Sequence, residues 1–358
     1  MRGELSAGKV ILTPETEQEE VDLKLKGYGR SNSGEIELSL EEAAFLLDKG
    51  KLTLMQEDSE LSFNEFLKRA LDTSPTFMDR YLVYTDLKER GYAVKTGGLY
   101  FWLYTRGARS GEKPAMYFIC ILSERDSLSL LDLDELFTSA SNMRKELILA
   151  VLDEESDITY YEVKEPGFGT LEDAESTEVK AKASLVGDRA VLWDAEFAEK
   201  LHKSNFYGKL TKDNRLLLSL VEAAYLIAKN QLEIGTQNGA KMSFKQFMEY
   251  VSATESDFLD RYAVYADLRA RGLMVKTGFK FGSHFRVYKA EQHSLYLVHV
   301  LPNDYVFSIT GLARAVRLAH GVKKRMIFAY IINSSAMQQI QEKQEQKIKY
   351  IDIGRMKL

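Results

Sequence analysis

Three residues near the C-terminal end of the 358-residue chain have side chains suited to cleaving RNA: Tyr288, His293 and Lys324. When the 2′-hydroxyl of RNA attacks the adjacent phosphate, a base must take its proton and an acid must protonate the leaving 5′-oxygen. A cation must stabilise the charge that grows on the phosphate oxygens. Histidine titrates near neutral pH and suits either proton transfer, and lysine is a compact cation. Tyrosine, with an ordinary pKa of about 10, acts as a base only where that pKa is perturbed.

Each of the three also has an interpretation without chemistry. A tyrosine at a strand end commonly packs against its neighbours, and a histidine in a loop is commonly solvated. A lysine before a strand commonly adds surface charge. What favours a shared role is that a second, related part of the chain lacks the same set.

That related part exists because the chain contains two copies of one unit. The segment Arg80–Gly97 matches Arg261–Gly278 at 12 of 18 positions, and the apolar run that begins at Met116 returns at Leu295. The offset between the copies stays near 180 residues. This constant offset indicates a tandem duplication.

The two copies differ at the candidate catalytic set. Its tyrosine and lysine align with Tyr104 and Lys145 of the first copy, whereas His293 aligns with Pro114. All five histidines of the chain lie in the second copy. Because tyrosine, histidine and lysine occur together only there, we predict that the second copy is catalytic and that the first is degenerate.

The copies also differ in charge. The segment Gly311–Arg325 has five basic residues and no acidic one, whereas its counterpart Asp132–Glu146 is mainly acidic. A local basic stripe is typical of phosphate binding, which makes Lys323 and Arg325 candidate RNA contacts. A solvated helix face would also explain a basic run, but it would not explain the change of sign between the copies.

Composition limits the class of protein. Hydrophobic residues make up 45% of the chain and the net charge is −5, which is ordinary for a globular protein and gives no bulk attraction for nucleic acid. The single cysteine, Cys120, allows no internal disulfide, and no signal sequence or apolar membrane span is recognisable, so we expect a cytoplasmic protein. No HExxH, paired CxxC, phosphate-binding glycine loop or GxSxG motif occurs, so we expect neither a metal nor a cofactor.

Hydrophobic periodicity predicts a mixed α/β (α+β) fold in which each copy has a helix-rich N-terminal subdomain and a sheet-rich C-terminal subdomain. We place the first repeat at residues 1–168, a linker at 169–182 and the second repeat at 183–358. Each copy is expected to begin with a short strand, at Glu4–Leu12 or at Ser184–Trp193, and one long helix is expected to start near Ser62 in the first copy and near Ser243 in the second. The tract Ser334–Lys349, rich in Gln, Lys and Glu, is expected to be an exposed excursion or a mobile loop.

Several sequence runs of the chain resemble those of a known family. The runs Arg261–Val300 and Leu312–Tyr330 resemble the C-terminal part of archaeal tRNA-splicing endonucleases, and Ala150–Gly169 resembles the end of the first repeat in their fused two-repeat subclass. The resemblance implies a nuclease-like C-terminal subdomain and a metal-independent endonuclease that excises introns from precursor tRNA at bulge–helix–bulge sites. It also implies products with 2′,3′-cyclic phosphate and 5′-hydroxyl ends.

The resemblance assigns roles residue by residue. Tyr288 falls on the general base, His293 on the general acid and Lys324 on the cation that stabilises the transition state. Two arginines, Arg317 and Arg355, fall on a pair that stacks on a flipped bulge base, which is the expected recognition of unpaired RNA.

The resemblance further implies a homodimer, in which an acidic loop of the degenerate repeat docks beside the active repeat of the partner chain. The candidate loop is Ser123–Asp132, with Glu124 and Asp126 as its acidic contacts. Two other functions stay open. A non-catalytic RNA-binding or scaffold subunit would need the basic segment but not the histidine. A metal-dependent DNA nuclease is disfavoured because the second copy has no acidic cluster.

Overall fold

The computed structural model describes Met1–Leu358 except for residues 7, 15, 33, 57–58, 108–112, 169–179, 237, 290–292 and 333–346. Contacts divide the chain into two units. The first comprises Met1–Lys164, Val306–Leu312 and Arg355–Leu358, and the second comprises Glu165–Tyr305 and Ala313–Gly354. The two copies of the sequence fold into the same succession of helices and strands, as a tandem duplication predicts.

The N-terminal half of the first unit combines helices with a six-stranded sheet. Its elements are β1 (Arg2–Ser6), β2 (Lys9–Leu12), α1 (Glu17–Leu25), β3 (Arg30–Asn32), β4 (Glu35–Leu38), α2 (Leu40–Asp48), β5 (Thr53–Gln56), β6 (Ser59–Leu61) and α3 (Phe63–Thr73). The strand order is β3-β4-β2-β1-β5-β6, in which β1 and β5 run parallel and the other pairs antiparallel.

The C-terminal half of the first unit is built on a second sheet. Its elements are α4 (Phe77–Glu89), β7 (Val94–Thr96), β8 (Tyr100–Leu103), β9 (Tyr117–Ser123), β10 (Ser127–Ser129), α5 (Leu130–Asn142), β11 (Glu146–Leu152) and β12 (Ile158–Lys164). The strand order is β7-β8-β9-β11-β12. Strands β9 and β11 run parallel because α5 provides the crossover between them, and the other pairs are antiparallel.

The second copy of the sequence repeats this plan. Its N-terminal elements are β13 (Ala181–Val186), β14 (Arg189–Leu192), α6 (Ala195–Asn205), β15 (Lys209–Leu210), β16 (Leu216–Ser219), α7 (Leu220–Ala228), β17 (Leu232–Gly235), β18 (Lys241–Met242) and α8 (Phe244–Ser252). Its C-terminal elements are α9 (Phe258–Ala270), β19 (Met274–Thr277), a 3-10 turn (Phe279–Phe281), β20 (Phe285–Tyr288), β21 (Ser294–Val300), β22 (Val306–Ser308), α10 (Ile309–Gly321), β23 (Arg325–Ile332) and β24 (Lys347–Met356). The two strand orders are β15-β16-β14-β13-β17-β18 and β19-β20-β21-β23-β24.

Capping boxes start the same two helices in each copy. In a capping box a serine side chain accepts from the backbone N–H of the third helical residue, whose own side chain accepts from the serine N–H. The pairs are Ser39 with Glu42, Ser62 with Glu65, Ser219 with Glu222 and Ser243 with Gln246. Each serine stabilises its helix by about 1 kcal/mol. Among the described residues no helix is both long enough and apolar enough to cross a membrane.

Aromatic contacts fix the strand that carries Tyr288. Tyr265 of α9 is 1% exposed and packs against Phe285 of β20, with 5.7 Å between ring centroids. The first unit has the matching contact between Tyr84 of α4 and Phe101 of β8, at 6.1 Å. Truncating a buried aromatic residue of this size costs about 3–5 kcal/mol, so these pairs hold helix and sheet together.

One predicted helix in each copy is two helices in the structure. In the first unit α3 ends at Thr73 and α4 begins at Phe77, because Pro75 restricts the preceding Ser74 to extended backbone, with φ −144° and ψ 112°. In the second copy no proline occurs at the break. There the Thr254 hydroxyl donates to the carbonyl of Val251 at 2.9 Å, and the chain leaves the helix.

The N-terminal strands also differ from the prediction. The runs Glu4–Leu12 and Ser184–Trp193 read as single strands, but each is a hairpin with a left-handed glycine at its turn, Gly8 at φ 76° and Gly187 at φ 60°. The sheets around these hairpins contain several strands of two to four residues, which are too short to show a clear alternation of apolar residues.

The expected linker and excursion are only partly described. Residues 169–179 and 333–346 lie outside the described residues. The last two residues of the expected linker, Ala181 and Lys182, are already part of β13. The end of the expected excursion, Lys347–Lys349, is part of β24, because it pairs with β23.

Candidate active site

The ends of three strands, β20, β21 and β23, meet at one edge of the sheet in the second unit. Strands β20 and β21 are antiparallel, with Tyr288 opposite Ser294, so the last residue of β20 lies beside the first residue of β21. Strands β21 and β23 are parallel and begin at the same edge. Tyr288 ends β20, His293 precedes β21 and Lys324 precedes β23. The topology therefore brings the three predicted catalytic residues to one edge.

Backbone geometry positions Lys324. Lys323 has a left-handed backbone, with φ 56°, which turns the chain sharply from α10 into β23. The N–H of Lys324 then donates to the carbonyl of Ala319 at 2.9 Å, and its Nζ donates to the carbonyl of Ser294 at 2.8 Å. Other ammonium N–H groups can face a phosphate oxygen at this edge. Partial burial, and to a smaller extent the charge of Arg286, lower the pKa of Lys324.

Tyr288 is held in place by its neighbours and is 8% exposed. The ring of Phe206 meets it edge-on, with 5.4 Å between centroids, and the guanidinium carbon of Arg286 lies 5.9 Å from its centroid. A register shift between Val287 and Tyr288 marks a β-bulge, a feature that re-aims a side chain at the end of a strand. The phenol is therefore fixed beside a permanent cation.

Phe206 occupies an unfavourable backbone conformation. It follows α6 as the C-cap with φ 62°, in the left-handed region where a residue with a Cβ costs about 1–2 kcal/mol relative to glycine. The equivalent residue of the first copy is Gly27, at φ 78°. A strained phenylalanine where glycine would suffice suggests that its ring is needed, and the ring covers Tyr288.

His293 differs from its two companions because it is exposed. It follows residues 290–292, which lie outside the described residues, and its neighbour Ser294 is buried in β21. An exposed imidazole that emerges from a fixed strand end is accessible to a substrate. Its position suits an acid that must contact the leaving oxygen of a bound RNA.

Two other histidines of this unit belong to the fold. The rings of His284 and His299 lie 4.7 Å apart, and Nδ1 of His284 accepts from the N–H of Val300 at 2.9 Å. Burial, and then the neighbouring His299, lower the pKa of His284 to about 4. Within the described ranges, no group of three or more His, Cys, Asp and Glu side chains is arranged to hold a metal ion.

The predicted RNA contacts on the basic segment are exposed. Arg317 projects from α10, and Lys323 lies in the turn that follows it. Arg355, the second arginine of the expected base-stacking pair, is also exposed, near the end of β24. All three are accessible to a polyanion, and their roles remain predictions.

Arg325, the remaining predicted RNA contact, forms an ion pair within the protein. Its Nε lies 2.7 Å from both carboxylate oxygens of Asp352, a residue that is only 1% exposed. Gly354 makes room for this pair, because a methyl group there would lie 2.6 Å from the guanidinium. Removing one partner of a buried ion pair costs about 3–5 kcal/mol. We therefore interpret Arg325 as a residue that joins β23 to β24, and not as an RNA contact.

Of the predicted docking loop Ser123–Asp132, only Glu124–Asp126 is a turn, between β9 and β10; the remainder belongs to β9, β10 and the start of α5. One carboxylate oxygen of Asp126 accepts from the N–H of Ser123 at 2.8 Å, and the carbonyl of Asp126 accepts from the N–H of Ile309 at 3.2 Å. The N–H of Glu124 donates to the carbonyl of Leu152 at 2.8 Å. The backbone of the loop is thus fixed, and Asp126 supports its shape as well as its charge.

Sequence reasoning missed Arg286 and the 3-10 conformation of the turn at Phe279–Phe281. A signal for both was present. Arg286 aligns with Trp102, so a cation replaces an aromatic residue between the copies. Seven residues separate Thr277 from Phe285, against four in the first copy, and the extra residues form the turn.

Comparison with protein families agrees with the duplication. The tRNA intron endonuclease catalytic C-terminal domain matches residues 77–160 and 258–339. The tRNA intron endonuclease N-terminal domain matches residues 1–67 and 181–248. Each domain therefore occurs twice, in the same order, and the second catalytic-domain match contains the Tyr288, His293 and Lys324 edge.

Individual relatives extend over nearly the whole chain. A tRNA-splicing endonuclease of Methanosarcina mazei is 42% identical over 337 residues, which cover 92% of each chain. That of Methanosarcina barkeri is 40% identical and covers 100% of each chain, and that of Natronomonas pharaonis is 34% identical and covers 92% of this chain and 95% of its own. With two copies of both domains and full-length relatives at this identity, the chain belongs to the tRNA intron endonuclease family and is an endonuclease.

Proposed function

We propose that this endonuclease excises introns from precursor tRNA by cutting at bulge–helix–bulge sites without a metal ion. Its products would carry 2′,3′-cyclic phosphate and 5′-hydroxyl ends. The observation that supports the proposal is the meeting of Tyr288, His293 and Lys324 at one sheet edge, which joins a possible base, an acid and a cation. The tRNA-splicing activity named for the relatives points to the same substrate.

The proposed reaction needs one proton removed and one proton supplied. The phenolate form of Tyr288 takes the proton of the 2′-hydroxyl as the 2′-oxygen attacks the phosphorus, which forms the bond that closes the cyclic phosphate. Lys324 faces the non-bridging oxygens and stabilises the charge that develops on them. The bond to the 5′-oxygen breaks, and His293 gives that oxygen the proton of the new 5′-hydroxyl. A positioned acid or base commonly contributes a factor of about 10²–10⁴.

Exposed basic residues would hold the RNA for this reaction. Arg317 and Arg355 would stack on a base flipped out of a bulge, because a guanidinium plane can pack against any base. Lys323, in the left-handed turn that leads to Lys324, would contact a nearby phosphate. This assignment leaves Arg325 to its ion pair with Asp352.

We propose that two copies of the chain form a homodimer. In this arrangement the turn that carries Glu124 and Asp126 docks on a basic surface of the partner's second repeat. The chain would then elute at about twice its mass of 40.8 kDa. A double variant, Glu124→Gln with Asp126→Asn, should lower that apparent mass. An active wild-type monomer would contradict the dimer.

The proposed function is tested by cutting a single-intron precursor tRNA in excess EDTA and analysing the 3′ ends of the products. We expect cyclic-phosphate ends, and no cleavage when the nucleotide 5′ to the scissile phosphate is 2′-deoxy, since the attacking hydroxyl is then absent. Cleavage of the deoxy substrate, or cleavage only after a divalent metal is added, would rule out the proposed chemistry. RNA that is bound but left uncut would instead favour a scaffold subunit.

A further inference from the structure

The turn Phe279–Phe281 presents an aromatic ring to solvent in the second unit. Phe279 is 87% exposed, which is unusual for a residue whose burial would stabilise the fold by about 2–3 kcal/mol. Single exposed apolar residues are common on protein surfaces and need no explanation by themselves. Three further features of this turn indicate that the exposed ring has a binding role.

The first feature is that the turn has a fixed conformation. The N–H of Phe281 donates to the carbonyl of Gly278 at 2.7 Å, and the N–H of Gly282 donates to the carbonyl of Phe279 at 3.0 Å. Gly282 has φ 63°, and a methyl group on Gly278 would lie only 2.2 Å from Oγ of the buried Ser283. Because the turn depends on both glycines, Phe279 is displayed on a rigid support.

The second feature is that the turn lies beside the candidate catalytic edge. The ring centroid of Phe281 is 5.5 Å from the guanidinium carbon of Arg286 and 5.9 Å from Nζ of Lys324. On its other side the turn approaches α10, since a methyl group on Gly282 would lie 3.5 Å from Cδ2 of Leu318. Leu318 directly follows Arg317, the predicted base-stacking arginine. The turn that carries the exposed ring therefore lies between the Lys324 edge and the basic helix.

The third feature is that the degenerate repeat lacks this turn. Three residues link β7 to β8 in the first copy, against seven between β19 and β20 in the second, and the exposed apolar residue there is Leu99, at 74%. Trp102, the counterpart of Arg286, closes over the hairpin, because a methyl group on Gly97 would lie 2.2 Å from its ring. The first copy thus displays an aliphatic residue at this turn, and the cation beside the turn, Arg80, is engaged with the carbonyl of Gly97 and the ring of Phe101. Among the described residues of these two turns, the strongly exposed aromatic ring is that of the second copy, whose turn also lies beside Arg286 and Lys324.

We propose that Phe279 is a stacking platform for an unpaired nucleotide next to the cleaved phosphate. Base–aromatic stacking binds any base, because every base has a π face, and cations that flank the ring hold the attached phosphates. Lys280 in the turn supplies one such cation, and Arg286 and Lys324, which lie against the ring of Phe281 in the same turn, supply two more. The proposal rests on the proposed function and adds a residue that positions the substrate, distinct from the arginines that stack on the flipped base.

The experiment compares wild type with Phe279→Ala, Phe279→Leu and Phe279→Trp, and uses Leu99→Ala as the matched control in the first repeat. Bulge–helix–bulge RNAs carry 2-aminopurine at one bulge position at a time, in a cleavable form and in a non-cleavable 2′-deoxy form. Fluorescence of the non-cleavable RNA reports stacking whether or not the protein cuts. Single-turnover cleavage of the other form separates KM from kcat, and elution mass reports the oligomeric state.

We expect Phe279→Ala and Phe279→Leu to raise KM roughly tenfold and to abolish quenching at one bulge position, as loss of one stacked base predicts. Phe279→Trp should restore both, because the ring and not the apolar volume is needed, and Leu99→Ala should change neither. Quenching in Phe279→Ala equal to that in wild type would overturn the proposal. A fall in elution mass of Phe279→Ala would overturn it too, because the ring would then contact a second copy of the chain. Failure of wild type to cut, with quenching still dependent on Phe279, would overturn only the proposed reaction.

Discussion

In the first repeat Lys145 donates to the carbonyl of Ala115 at 2.9 Å, and in the second Lys324 donates to the carbonyl of Ser294 at 2.8 Å. The residues before these lysines, Arg144 and Lys323, are both left-handed with φ 56°. The lysine is therefore held in the same way in both repeats. This part of the site is a property of the duplicated scaffold, and its presence alone does not distinguish the copy proposed to be catalytic.

What differs is the surroundings of the lysine. Around Lys324 the second repeat has His293 in place of Pro114, and Arg286 in place of Trp102. It also covers the tyrosine with Phe206, where the first repeat has Gly27. The comparison teaches that the scaffold places a tyrosine and a lysine at a sheet edge in both copies. A small number of added side chains then separates the copy proposed to be catalytic from the other copy.

Removing the proposed acid should have the largest effect on this comparison. We expect His293→Ala to lower single-turnover cleavage by a factor of about 10²–10⁴, because the leaving 5′-oxygen would depart without a proton donor. Pro114→Ala, at the equivalent position of the first repeat, should leave the rate within about twofold of wild type on the same account. Recovery of cleavage by the double variant His293→Ala with Pro114→His would show that the first repeat is also competent, and would break the comparison.

Acid should reveal a second difference, in stability. The folded protein keeps His284 neutral because burial lowers its pKa from 6.5 to about 4. Between these pH values the unfolded chain binds a proton at this histidine and the folded protein does not. The contribution of His284 to the free energy of unfolding is therefore fully present above pH 6.5 and is lost as pH decreases toward 4, by at most about 3 kcal/mol. Urea midpoints at pH 7 and pH 4.5 measure this loss.

A substitution locates this acid sensitivity. His284→Asn keeps an acceptor for the N–H of Val300 but cannot take up the proton, so its midpoint should fall less on acidification than that of wild type. His299, whose pKa is also lowered by burial, accounts for part of the remaining fall. The first repeat has Tyr100 and Cys120 at these positions. The urea midpoint of Cys120→Ala should therefore fall on acidification by as much as that of wild type. An unchanged acid response in His284→Asn would refute the assignment.

The basic helix should give the smallest of these effects. Arg317→Ala is expected to raise KM roughly tenfold with a smaller change in kcat, as loss of one stacked base predicts. Thr138 occupies the equivalent position in the first repeat, and Thr138→Ala should leave KM unchanged. Filter binding of a non-cleavable precursor at several salt concentrations checks the assignment. A KM for Arg317→Ala that equals that of wild type would show that α10 does not contact the RNA.

Much of this arrangement was accessible from the sequence. The duplication, the order of elements and the choice of Tyr288, His293 and Lys324 follow from aligning the copies, because apolar spacing and aligned motifs are local signals. The helix breaks and the hairpin that begins each copy were missed, since a turn depends on one or two residues such as Pro75 or Gly8. The ion pair of Arg325 with Asp352 was also missed, because the partners are distant in sequence and meet only through strand pairing.

The central claim, that both repeats share a lysine scaffold and only the second uses it for chemistry, is tested most directly by Lys324→Met and Lys145→Met. Each variant loses the same hydrogen bond to a backbone carbonyl, which contributes about 1 kcal/mol to stability, so the unfolding midpoints should fall equally. Single-turnover cleavage of precursor tRNA should fall by about 10²-fold or more for Lys324→Met and stay near wild type for Lys145→Met. Equal loss of cleavage in both variants would contradict the claim, because the lysine would then act only through the fold.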